Sequence, residues 1–178
     1  MTQTITRSYD TYESARIVVE QLETAGFSNS EISLVGRHEK ADESNAGEGA
    51  GIGAALGGAA GLLAGLGLIA IPGIGPVVAA GWLASTAAGA VAGGATGGIV
   101  GALTSAGASE DDANYYAETV RRGGSVVSVR TSDDRAPAAE AIMDGATPID
   151  RDERLAEYRR TGWSRFDDRA EPYRGPLI

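Results

Sequence analysis

The chain has no cysteine. That excludes a disulfide framework, a thiolate nucleophile and a thiolate metal site, and it fits a reducing compartment. Histidine is nearly absent too. His38 is the single one, in a polar stretch where a solvated side chain is the plain expectation. Basic residues are outnumbered, 15 Lys and Arg against 24 Asp and Glu, for a net charge of −9. Such a balance argues against nucleic acid, whose phosphates need a basic surface. It also disfavours simple electrostatic attraction to an anionic bilayer. The opening residues, Met1 to Arg7, lack the apolar core of a signal peptide, so the N-terminus is expected in the cytoplasm. The largest absence is of charge itself. Between Glu48 and Glu110 there is no charged residue, a run of sixty-one positions.

Glycine fills that run. It holds eighteen of the 26 glycines, many at every fourth position: Gly49, Gly53, Gly57, Gly61 and Gly65, then Gly81, Gly89, Gly93, Gly97 and Gly101, with Ser85 and Ser105 in the second row. Glycine forms helices poorly in water. A row of it on one helix face suits close backbone approach, for which a lipid bilayer is the usual setting. Pro72, Gly73, Gly75 and Pro76 form a turn between the two rows. The spacing predicts a glycine-rich helical hairpin over 49–108. Its first arm, 49–71, spans about 33 Å at ~1.5 Å per residue, enough for a bilayer core. Leu56, Leu62, Leu63, Leu66, Leu68 and Ile69 are placed toward lipid, and Trp82 at an interface. The second arm is mostly Ala, Gly, Ser and Thr, which makes its insertion marginal. A helical pair buried within a soluble assembly is the alternative, and a low-complexity tether a third.

Outside the insert the sequence has the grammar of a soluble domain. Thr2 to Ser8 alternates and is rich in β-branched residues, as in a strand. Asp10 and Glu13 resemble a capping box, and Tyr12, Ala15, Val18, Val19 and Leu22 keep helical spacing. Gly26 ends that helix. Glu31 to Gly36 is a second strand, expected parallel to the first. Residues 38–48 are a polar, acidic linker. After the insert, Ser109 caps a helix with Glu110, Asp111 and Asp112 on the positive end of its dipole. Arg121 and Arg122 complement its other end, and Gly123-Gly124 stops it. Ser125 to Thr131 is a strand. A short helix runs from Asp134 and Pro137 to Gly145, and Thr147-Pro148-Ile149 is a candidate edge strand.

Two halves, 1–37 and 109–150, are each too small to bury an adequate core. Together they predict an α+β domain: a small ferredoxin-like βαβ…αβα sandwich interrupted by the hairpin. The tail, 151–178, is rich in Arg and Asp; Arg151 to Arg160 suits a helix. Trp163 and Phe166 are a candidate docking pair, for a partner or for the domain itself.

Site chemistry is thin. Gly49-Ala50-Gly51-Ile52-Gly53 and Gly65-Leu66-Gly67 resemble pieces of a phosphate-binding loop, but no Gly-Lys-Ser/Thr follows and the insert has no lysine. No catalytic, metal or cofactor-binding residue is assigned, and no small-molecule substrate or cofactor is expected. The chain resembles the YflT-type general (heat-induced) stress protein family over about residues 1–150. The resemblance is carried by Ser8-Tyr9-Asp10-Thr11, Ala25-Gly26-Phe27, Glu31-Ile32-Ser33, Ile71-Pro72-Gly73-Ile74-Gly75-Pro76-Val77, Ala113-Asn114-Tyr115-Tyr116 and Arg121-Arg122-Gly123-Gly124. It implies a bacterial stress-associated protein without an assigned catalytic role, and it supplies no functional residues. The resulting expectation is a non-enzymatic protein that self-associates as a homo-oligomer. Its hairpin would enter the inner membrane and its domain would sit in the cytoplasm. The alternative is a cytoplasmic, soluble self-assembling stress protein that buries its glycine-rich helices in the oligomer.

Overall fold

The computed structural model describes residues 1–37, 67–71, 73–86, 98–171 and 173. Five strands form one sheet: β1 (Thr2–Tyr9), β2 (Ile32–Gly36), β3 (Gly67–Ile71), β4 (Gly75–Gly81) and β5 (Ser125–Ser132). Their order is β1-β5-β2-β4-β3, and every neighbouring pair is antiparallel. β1 and β2 do run parallel, as expected, but β5 lies between them. Among the described residues the helices are α1 (Tyr12–Thr24), α2 (Gly98–Ser105), α3 (Glu110–Arg121), α4 (Ala136–Gly145) and α5 (Arg151–Arg160). Residues 82–86 add a helical turn. The α+β class holds.

Side-chain alternation along the strands builds two cores. On one face Ile5, Tyr9, Ile32, Leu34, Val127 and Val129 meet Val18, Val19 and Leu22 of α1 and Met143 of α4. On the other, Val35, Ile71, Val77, Ala79 and Val126 meet Ile99 and Leu103 of α2 and Ala113, Ala117 and Val120 of α3. Helices therefore cover both faces, and the molecule has three layers where a sandwich of the two flanking halves predicts fewer. On the second face α3 of the flanking half already packs against the sheet, and the insert adds α2 beside it and two strands to the edge.

The expected helical hairpin is corrected here. Residues 67–71 and 75–81 are strands, paired from Gly67 with Ala79 to Ile71 with Gly75. The cause is local. Ile69, Ile71, Val77 and Val78 are β-branched and suit a pleated surface. Gly73, at φ 76, holds the left-handed conformation that a type II turn requires, and the Ile74 N–H donates to the Ile71 carbonyl at 3.0 Å. Gly75 is left-handed as well, at φ 96. Pro72 lies outside the described residues. Ile69, expected toward lipid, packs on the second core. Trp82, expected at a membrane interface, lies under the Arg130 guanidinium, 3.5 Å from its ring centre.

Helix ends differ in detail. Thr11, not Asp10, caps α1, its hydroxyl accepting the Ser14 N–H at 3.1 Å. Asp10 instead pairs with Arg154 of α5 at 2.9 Å. Ser109 caps α3 as expected, accepting the Asp112 N–H at 3.1 Å. Thr147 to Ile149 forms no strand, although the Ile149 N–H donates to the Ser8 carbonyl at 2.8 Å on the outer side of β1.

Candidate functional site

The glycines singled out by spacing part company in the structure. Gly49, Gly53, Gly57, Gly61, Gly65, Gly89, Gly93 and Gly97 lie outside the described residues. Gly81 is in β4 rather than a helix, at φ 82, with the Ile32 carbonyl 2.3 Å from where a β-carbon would stand. Gly101 is in α2, and among the described residues a β-carbon there would meet no atom within 4 Å. Gly73 abuts the tail, with the Asp167 carbonyl 2.6 Å from its would-be β-carbon. Gly75 and Pro76 open β4.

The register of β4 fixes where the insert leaves and returns. Val78 pairs with Gly36 on one side and Leu68 on the other. The end of β2 and the start of β3 are thus level, two strand spacings or about 10 Å apart. Residues 37–66 leave and rejoin the sheet at one place.

Trp163 and Phe166 both turn back on their own domain. Residues 150–171, with 173, form a strap across α3. Tyr158 of α5 packs between Tyr115 and Trp163, at ring-centre distances of 6.1 and 5.8 Å. Phe166 is only 7% exposed and joins the second core, while its N–H donates to Asn114 Oδ1 at 3.1 Å. The strap has little regular structure beyond Gly162, as expected, yet it is packed.

Beneath the strap lies a charge cluster that sequence reasoning missed. Glu118 is 1% exposed, and its Oε1 takes Arg121 Nη1 at 3.0 Å and Arg122 Nε at 2.7 Å. The Arg122 guanidinium also stacks 4.3 Å from the Tyr158 ring centre and 5.2 Å from that of Tyr173. Arg121 and Arg122 were expected only to complement the helix dipole. The available signal was Glu118 three and four residues before them, on the same helix face.

Five buried tyrosines share one electrostatic property. Burial, the largest cause in each case, raises Tyr12, Tyr116 and Tyr158 to about 12 and also raises Tyr9 and Tyr115. An unfolded phenol ionises near 10. Between those values the folded chain binds more protons than the unfolded one. The stabilisation is complete below about pH 10 and is lost as pH rises through about 12. In an alkaline titration, phenolate absorbance should therefore appear together with loss of near-ultraviolet circular dichroism. Ionisation of these phenols near pH 10 in a still-folded chain would contradict this.

Two clefts stand out among the described residues. One, of about 210 Å³, lies between the start of α3 and the strap and is lined by Glu110, Asp111, Arg159, Trp163 and Arg165 among others. The second, of about 280 Å³, follows β1 from Gln3 to Arg7 and reaches Asp112, Tyr116 and Glu140. Both fall below the usual range of small-molecule sites, roughly 300–1,000 Å³. Among the described residues no group of three or more His, Asp or Glu could hold a metal ion. Ser8 bonds to Tyr115 and Thr6 to Ser128, hydroxyl to hydroxyl, and neither contact supplies a base to activate a nucleophile.

Compared with known proteins, the chain matches no family model, no curated protein and no solved structure. Among the described residues no helix is long and apolar enough to cross a membrane.

Proposed function

We propose that this is a non-enzymatic bacterial stress protein of the YflT type. It self-associates through the uncharged segment 49–66, which a ferredoxin-like core presents to sister copies. Support for that core comes from the split βαβ, with β5 between β1 and β2. It comes also from Ile149, which follows α4 and bonds to the outer side of β1, where a ferredoxin-like sheet carries its last strand.

One observation carries the functional reading: residues 37–66 return to the sheet about 10 Å from where they left it. Entering a bilayer from one side and coming back takes two spans of about 20 residues each as helices. The longest uncharged run in the segment is eighteen residues, 49–66. A single span would leave its two ends on opposite sides. The geometry therefore favours assembly in water over the transmembrane hairpin, which also loses its central turn to the sheet. Attachment to a bilayer surface is the second reading, favoured by Leu56, Leu62, Leu63 and Leu66 in the same stretch.

Light scattering without detergent tests it. The full chain should form assemblies larger than a pair. A variant with 49–66 replaced by a short Gly-Ser bridge should lose them, and Gly57→Leu should reduce them. Flotation of the full chain with lipid vesicles, lost on the same deletion, would favour the bilayer instead. A full chain that is monomeric at every concentration would overturn self-association through this segment.

A further inference from the structure

We infer that the strap, residues 150–171 with 173, is exchanged between two copies of the chain. It opens about Thr147 and docks on α3 and the β3–β4 turn of a sister molecule. This contact is separate from the uncharged segment and links copies in reciprocal pairs.

The first support is at the hinge. Thr147 has φ 55 and is the only non-glycine among the described residues in the left-handed region. A β-branched side chain is poorly accommodated there. The connection between α4 and α5 spans only residues 146–150. Its backbone hydrogen bonds run from Ala146 N and Thr147 N to Asp144 O and from Ile149 N to Ser8 O. Pro148 follows the strained residue and restricts its backbone further toward extended conformations. A short connection under strain is the local condition that favours exchange of an element between identical chains. Opening the hinge releases Thr147 to an extended conformation.

The second support is the placement of the strap's contacts. They lie beyond the hinge and reach a surface built wholly from the rest of the molecule. Tyr158 and Phe166 dock on α3. The Asp167 carbonyl fills the space that Gly73 leaves by having no side chain. Arg121 Nη2 donates to the Glu171 carbonyl at 3.3 Å, and Arg121 and Arg122 lie over the Tyr173 ring. An identical strap from a second copy satisfies each of these contacts equally, so closed and exchanged forms differ mainly at the hinge and in the entropy of association.

Charge supports the same docking. Residues 1–148 carry all of the net −9, whereas 149–178 carry seven basic and seven acidic groups. The strap sends Arg151 to Asp112 of α3 and Arg154 to Asp10 ahead of α1. Two bodies of net −9 repel one another. A strap of no net charge adds nothing to that repulsion, and its Arg151 and Arg154, set on Asp112 and Asp10 of the sister copy, provide local attraction.

The absence of cysteine makes the test clean. Asp112→Cys and Arg151→Cys are prepared separately in the full chain, mixed at high concentration, incubated, and linked with a short bismaleimide. Exchange predicts linked hetero-pairs in the mixture and none from either variant alone. Asp10→Cys with Arg154→Cys should behave in the same way. The chain carrying both Asp112→Cys and Arg151→Cys, linked when dilute, should close within one molecule. Internal closure of that chain without hetero-pairs from the mixture would overturn the inference. Thr147→Gly relieves the closed hinge and should weaken pairing by about fivefold or more. Unchanged pairing in that variant would count against the hinge. Assemblies that persist without linked hetero-pairs would leave self-association through 49–66 standing and remove exchange alone.

Discussion

Glu118→Ala is expected to destabilise the fold by about 3 kcal/mol or more, the largest loss from any single charged side chain described. Glu118 is 1% exposed, and its two partners, Arg121 and Arg122, are 19% and 12% exposed. Removing the carboxylate leaves two largely desolvated guanidiniums without a counter-charge. Breaking a buried ion pair in this way typically costs about 3–5 kcal/mol, far more than the net value of the intact pair. Partial exposure of the two arginines puts the expectation toward the lower end. The loss should fall on the strap first, because Arg122 stacks on Tyr158 and Arg121 holds the Glu171 carbonyl. Urea midpoints with and without added salt provide the measurement. Burial screens this cluster from ions, so the loss should change little with salt. Glu118→Gln, which keeps an acceptor oxygen, should lose less than Glu118→Ala. An exposed pair provides the contrast. Arg16 bridges Glu13 and Glu20 on the surface of α1, and Glu13→Ala should cost no more than about 0.5 kcal/mol. Equal effects at Glu13 and Glu118 would show that burial does not set the scale here.

The flanking domain was legible because its local signals agree with its packing. Val18, Val19 and Leu22 keep helical spacing and enter the first core. Val126 and Val127 fall on opposite faces of β5, as a strand requires. Ser109 and Gly123 mark the ends of α3 as their chemistry demands. The insert was misread because a spacing of four is ambiguous. It places residues on one face of a helix, and, being even, on one face of a strand as well. Length and the absence of charge then favoured helices. The evidence for strands was the pair of β-branched runs at Ile69 to Ile71 and Val77-Val78, around two glycines able to turn left-handed. The Glu118 cluster was hidden for a different reason. Sequence places Arg121 and Arg122 on the same helix face as Glu118, but only the returning strap buries them. A contact across thirty or more residues leaves no local pattern, and the ends of the strap were readable only as aromatics of uncertain destination, Trp163 and Phe166.

Gly81→Ala and Gly101→Ala should move stability in opposite directions, although spacing puts both glycines in one row. At Gly81 two penalties add. Its φ of 82 strains any residue with a β-carbon, and that carbon would stand 2.3 Å from the Ile32 carbonyl and 2.9 Å from Ser33 Cα. Both obstacles are backbone of β2, which pairs with β4 at this point, so no flexible side chain can yield. Backbone strain and overpacking each cost roughly 1–3 kcal/mol, and Gly81→Ala is expected to lose about 3 kcal/mol or more. The damage should reach the whole β3–β4 extension, because the adjacent Ala80 carbonyl is anchored to Ser33, which also accepts the Leu83 N–H. At Gly101 the added methyl meets no atom of the described residues within 4 Å, and removing glycine's backbone freedom from a helix should gain about 0.5–1 kcal/mol. Thermal midpoints of the two variants decide the matter. A glycine groove serving close helix packing makes both substitutions harmful. A strand crossing β2 at Gly81 and an unobstructed helix face at Gly101 make one harmful and the other helpful. Loss of stability or of assembly in Gly101→Ala would return α2 to the groove.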